Sequence, residues 1–144
     1  MIKVTALFLA MCLTCAAQDS DEGVPKELIG VWKLESTSFK GAVPTKPDGI
    51  VWLVILRNGD FVIKSADDLQ GGSVAVDASV TPAAIDLRVA LQSGRPNRKW
   101  TNLGIYEIQD DMLTLAKAPE GKNRPGSLKS DSESVVQVFR RSVE

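Results

Sequence analysis

Turn-forming residues recur along this chain at intervals too short for long helices, and that spacing limits its fold more than any other feature. Lys40-Gly41, the Pro44 and Pro47-Asp48-Gly49 cluster, Asn58-Gly59, Gly71-Gly72, Pro82, Ser93-Gly94-Arg95-Pro96-Asn97 and Asp110-Asp111 each break the chain, as does the stretch 117–133 with Pro119, Gly121, Pro125 and Gly126. Breaks roughly 8–12 residues apart mark an all-β sandwich or barrel.

The runs between the breaks read as eight strands: Gly30–Phe39, Ile50–Leu56, Phe61–Ser65, Ser73–Asp77, Ala84–Val89, Trp100–Ile108, Met112–Ala116 and Ser134–Arg141. Most alternate apolar with polar residues, as half-buried strands do. Asn58-Gly59 is the strongest short hairpin signal. Strands in simple succession favour an eight-stranded antiparallel up-and-down barrel, because closure removes the sheet edges. Alternation predicts an interior of Leu28, Trp32, Leu34, Trp52, Val54, Leu56, Phe61, Ile63, Val74, Val76, Ile85, Leu87, Tyr106, Ile108, Leu113 and Leu115. That choice turns Val51, Leu53 and Ile55 outward, an apolar face that needs a cover or a protein partner.

Residues 1–17 read as a secretory signal peptide, with a ten-residue apolar stretch from Val4 to Leu13 and small residues in Cys15-Ala16-Ala17 for cleavage after Ala17. The apolar stretch is too short to span a bilayer. Cys15 offers a lipid-attachment alternative, the one route to a membrane, although Thr14 stands where a smaller residue is expected. Cleavage removes both cysteines. Residues 18–27 are a polar N-terminal tether or short turn, and residues 28–141 form the barrel domain.

Composition then narrows the function. The chain has no histidine, which removes the commonest general base and metal ligand and every Ser–His or Cys–His system. A formal charge of −1 gives no footprint for nucleic acid. No cofactor or metal is expected, since the acidic pairs Asp67-Asp68, Asp110-Asp111 and Asp131-x-Glu133 lack the spacing of a calcium loop and suit ordinary turns. Asp86 and Glu107 fall outward by strand parity, which argues against an acid/base pair. An enzyme is therefore the least expected outcome. Arg95, Arg98, Lys99, Lys122 and Arg124 lie on two loops that would give one barrel end a positive rim.

Several stretches carry a family resemblance. They are Leu28-Ile29-Gly30-Val31-Trp32-Lys33, the Phe61 strand, Pro82 followed by Ile85-Asp86-Leu87, Gly104-Ile105-Tyr106-Glu107-Ile108 leading to Asp111 and Leu113, Lys122-x-Arg124-Pro125, and the basic pair after Phe139. With these the chain resembles a family of small secreted planctomycete domains with a lipocalin-like, calycin-type barrel, across nearly all of residues 28–141. It departs at Gly126-Ser127-Leu128, where an acidic residue and a phenylalanine are usual. The resemblance transfers no activity. It implies that Gly30 and Trp32 form the Gly-x-Trp closure of a lipocalin barrel, with Arg140 or Arg141 laid over the indole.

The expected function is binding of a small, largely apolar or amphiphilic ligand in the barrel mouth, against Trp52, Phe61 and Tyr106, with Arg98 or Arg124 orienting its polar end. The alternative is a structural or interaction domain with a filled barrel. Trp100 is core or cavity wall on either reading.

Overall fold

The expected strands form, and they close. A computed structural model describes residues 23–131 and 133–142; the expected signal peptide, Cys15 and residues 18–22 of the tether lie outside the described residues. The strands are β1 (Gly30–Phe39), β2 (Trp52–Ile55), β3 (Asp60–Lys64), β4 (Leu69–Asp77), β5 (Ala83–Gln92), β6 (Arg95–Gln109), β7 (Met112–Lys117) and β8 (Val135–Arg141). Each pairs antiparallel with the next and β8 returns to β1, giving a closed, lipocalin-like up-and-down barrel. Apolar side chains fill the inside while Lys33, Arg88, Glu107 and Arg140 stand exposed outside. That is the reverse of a membrane-spanning barrel, whose outer band is apolar.

On β2 the expected parity is wrong by one residue. Leu53 and Ile55 are each 1 % exposed and belong to the core, whereas Trp52 and Val54 are half-buried on the outer side and Leu56 is exposed. The run Ile50–Leu56 is apolar throughout, so alternation cannot choose a face, and a one-residue slip reverses every side chain. The hairpin decides it. A two-residue Asn58-Gly59 turn would set Leu56 opposite Phe61. The actual loop spans Arg57-Asn58-Gly59, with Gly59 at φ +92°, and it pairs Ile55 with Phe61. Asn58 Oδ1 accepts the Asp60 backbone N–H at 2.9 Å and fixes that longer turn. The outward partner face of Val51, Leu53 and Ile55 therefore does not exist.

Gly71-Gly72, expected as a turn, lies inside β4. The glycines serve close packing there: a Cβ at Gly72 would overlap the Arg88 carbonyl oxygen, next to the bulges that shift both the β4–β5 and β5–β6 registers. Likewise the β5–β6 connection shrinks from five residues to Ser93-Gly94, with Arg95 already in β6.

One end of the barrel is solid. Pro25 leads into a single 3-10 turn, Lys26–Leu28, that folds under the strands, burying Leu28 completely and Val24 nearly so. Trp32 is 0 % exposed and donates from Nε1 to the Leu28 carbonyl at 3.0 Å. The Arg141 guanidinium lies over the indole, 4.2 Å from its centroid, and donates to the carbonyls of Ile29 and Glu27. Gly30 makes room for it: its φ is +141°, and a Cβ there would come within 3.1 Å of Arg141 Nη1. Of the two terminal arginines, Arg140 points outward and pairs with Glu35 at 3.0 Å.

The loop between β7 and β8 runs down the outer wall. Leu128 packs on Ile105, Ala116 and Val136, outward residues of β6, β7 and β8 that form a second small apolar cluster. Arg124 anchors the loop by pairing with Asp86 at 2.7 Å and donating to the Gly104 carbonyl at 2.8 Å.

Candidate functional site

The other end of the barrel is hollow. Its cavity measures about 250 Å³ and is lined by Leu34 of β1, Val51, Ile63 of β3, Ser65 and Asp68 of the β3–β4 turn, Gln70 of β4, Lys117 of β7, and Gln137 and Phe139 of β8. Strand alternation brings these together. Leu113 and Leu115 are core residues of β7, so Lys117 is the next inward position, at the open end. Phe139 is core on β8, which turns Gln137 inward as well. In register Leu115 stands opposite Gln137, so Lys117 and Gln137 are diagonal neighbours on one face.

The cavity floor is apolar, formed by Leu34, Ile63 and Phe139, and the polar side chains of Lys117 and Gln137 break its wall. None of the ion pairs or side-chain hydrogen bonds among the described residues involves the Lys117 amine. Gln137 Oε1 is buried and accepts no hydrogen bond. Burial pushes the Lys117 ammonium below its ordinary value, since enclosure by protein disfavours the cation and no neighbouring charge offsets this. The one carboxylate in the wall is engaged elsewhere. Asp68 Oδ1 accepts from the backbone N–H groups of Leu69 at 2.8 Å and Ser93 at 3.0 Å and from the Ser93 hydroxyl at 3.2 Å, tying two rim turns together.

None of the five residues expected to hold a ligand lines this cavity. Trp52 faces outward on β2. Phe61 is core, 1 % exposed, in the solid half, paired with Ile55 and Gly72. Tyr106 is also core near that end, where burial, with a smaller contribution from Glu27, pushes its hydroxyl up to about 12. Arg98 is exposed on β6 and makes a bidentate pair with Glu120, at 3.0 and 2.7 Å. Arg124 is on the outer wall, holding Asp86, because its loop descends over β6–β8 instead of crossing the mouth. The expected positive rim is thereby dispersed. Trp100 packs against the core, its Nε1 donating to Asn102 Oδ1 at 3.1 Å.

Lys117 and Gln137 went unrecognised as site residues because a polar residue in an alternating strand is normally placed on the solvent side. The signal was present in the parity of Leu113, Leu115 and Lys117, and in that of Phe139 and Gln137. A larger hollow of about 550 Å³, lined in part by Leu56, Val62, Leu91 and Pro96, runs over the outer wall, but it is a trough open to solvent. Among the described residues no group of three or more acidic, histidine or cysteine side chains converges as a metal site. Comparison with models of protein families, with curated proteins and with solved structures returns no match.

Proposed function

We propose that this barrel is an exported carrier for a small, largely apolar molecule, taken up through the open end with its one polar group beside Lys117 and Gln137. A single observation carries the reading: a cavity with an apolar floor, open at the barrel end, holds the buried Gln137 amide oxygen, which has no hydrogen-bond partner among the described residues, with the Lys117 amine beside it. A buried polar group without a partner costs about 1–3 kcal/mol. Such groups persist where something else completes them, and a cavity with few convergent polar groups is the usual form of a ligand site. At about 30 Å³ per water, the 250 Å³ cavity has room for roughly eight water-sized groups. The cargo is therefore short, on the scale of a six-carbon chain with one oxygen function. The leader-like residues 1–17 and the resemblance to secreted planctomycete domains support an exported site of action, which an N-terminus at Gln18 on the exported protein would verify and an intact Met1 would exclude.

Calorimetric titration with hexanol and hexanoate tests the carrier. Saturable binding at one site is expected, abolished in Gln70→Trp, whose indole would occupy the cavity from a half-buried strand position. Circular dichroism checks that this variant is folded. A second reading, a structural domain without cargo, draws on the solid packing of the closed half, and it prevails if neither compound binds.

A further inference from the structure

We propose that Lys117 is a covalent capture point, its ε-amine condensing reversibly with the carbonyl carbon of a small aldehyde or ketone held in the open-end cavity. This rests on the carrier reading and names the chemical class of the cargo. Imine formation asks four things of a lysine: access, an unprotonated nitrogen, no tightly paired anion, and surroundings that expel the water produced.

The open-end cavity favours each of them. Lys117 enters it at the last inward position of β7, opposite Gly104 in the β6–β7 register, so no β6 side chain stands directly across from it. Its charged surroundings are sparse. From the β3–β4 turn comes Asp68, whose Oδ1 is held by Leu69 and Ser93. From β4 and β8 come the neutral amides of Gln70 and Gln137, and from β1 and β3 only Leu34 and Ile63. No ion pair holds the ammonium among the described residues, and desolvation shifts Lys117 toward the free base. Lys33 and Lys64, by contrast, stand exposed on the barrel surface.

The step balances without an oxidant or reductant. The nitrogen lone pair adds to the carbonyl carbon, and the proton lost by nitrogen passes to the carbonyl oxygen to give a carbinolamine. Loss of that hydroxyl with the remaining N–H proton, as water, forms the C=N bond. Gln137 Oε1, the unpaired acceptor on the neighbouring strand, is placed to accept a hydrogen bond from the hydroxyl or the N–H of the carbinolamine. The apolar floor takes the alkyl chain, and the small volume limits the cargo to short carbonyl compounds.

The test is reductive trapping of the whole protein with hexanal and cyanoborohydride at pH 7, followed by peptide mapping. One hexyl group per chain is expected at Lys117, formed about tenfold or more faster than at Lys33 or Lys64. Excess hexanol should suppress it, and it should be absent from Lys117→Arg and from Gln70→Trp. Labelling that follows exposure, with Lys117 no faster than the surface lysines, overturns the proposal. If hexanol binds the native protein while hexanal leaves Lys117 unlabelled, covalent capture falls and the carrier stands. If hexanol does not bind and hexanal does not label, both fall.

Discussion

Trp32→Ala tests whether the closed end is the structural foundation of the barrel. The side chain is 0 % exposed and takes part in three kinds of interaction at once. Its packing is the largest: truncating a buried tryptophan to alanine costs about 3–5 kcal/mol. Its Nε1 satisfies the Leu28 carbonyl at 3.0 Å, and a buried carbonyl left without that donor costs about 1–3 kcal/mol, part of which the truncation figure already contains. Its ring carries the Arg141 guanidinium at 4.2 Å, an interaction of about 0.5–2 kcal/mol. The expected loss is therefore about 4–6 kcal/mol, about a quarter or more of the roughly 5–15 kcal/mol that holds a typical domain together. Urea denaturation followed by far-UV circular dichroism measures it. Trp32→Phe keeps most of the packing but removes the donor, and should fall between alanine and wild type. A double-mutant cycle with Arg141→Ala isolates the contact between the two side chains, because the bonds of Arg141 to the Ile29 and Glu27 carbonyls cancel in the cycle. A loss below about 1 kcal/mol for Trp32→Ala, or a coupling energy of zero, would refute the reasoning.

Other consequences can be measured directly. Because burial pushes the Lys117 amine below its ordinary value of 10.5, the unfolded chain holds one more proton between the folded value and 10.5, so stability rises with pH across that window. Lys117→Met should remove a slope of at most about 1.4 kcal/mol per pH unit and stabilise the protein at neutral pH, and an unchanged pH profile in denaturant melts would contradict the burial of this amine. Tyr106, the only tyrosine, titrates the opposite way: its hydroxyl is raised to about 12, so between pH 10 and 12 the unfolded chain sheds a proton that the folded chain keeps, and stability falls by about 2–3 kcal/mol. Phenolate absorbance of the folded protein should show one transition near 12, whereas a transition at the ordinary value would place the ring in solvent. Arg124→Ala should cost about 1–2 kcal/mol and open the 118–134 loop to limited proteolysis while leaving hexanol affinity unchanged, since Arg124 lies on the outer wall; weakened binding would return it to the site.

The architecture was legible because it depends on spacing, and spacing survives errors of detail. Turn residues delimit the strands wherever they fall, and Gly30, Trp32 and the terminal arginines mark how the barrel closes. Facing was harder to read. In β5, where Ile85, Leu87 and Val89 alternate with Asp86 and Arg88, parity is explicit and correct. The seven consecutive apolar residues Ile50–Leu56 that include β2 carry no parity, and one extra residue in the Asn58-Gly59 loop inverts the strand. The site was lost for a related reason. Aromatic and arginine residues attract attention as ligand contacts, yet Phe61 and Tyr106 are the fill of the solid half, and Arg124 clamps a loop. Their places follow from contacts across tens of residues, such as Arg124 on Asp86, that no local pattern encodes.

On the proposed carrier reading, the two halves of the barrel divide stability and binding between them. In the closed half large side chains interdigitate, and every polar group noted there has a partner: Trp32 Nε1 has the Leu28 carbonyl, Arg141 has two carbonyls and an aromatic face, and Gly30 yields the space the guanidinium needs. In the open half the same strands β1, β3, β7 and β8 continue, but the inward positions pass from Leu115 to Lys117 and from Phe139 to Gln137, and the packing gives way to a cavity of about 250 Å³. A chain selected only for stability would carry leucine or phenylalanine at 117 and 137, extending the core by two more large side chains at roughly 1.5–3 kcal/mol each. Keeping an amine and an amide there forgoes that stabilisation and adds a desolvation cost. The solid half makes such an open end tolerable, and a ligand that satisfies Lys117 and Gln137 would recover part of the difference on binding. Saturating hexanol should therefore raise the unfolding midpoint of the wild-type protein and leave that of Gln70→Trp where it was. Equal shifts in both would mean that the stabilisation does not come from this cavity.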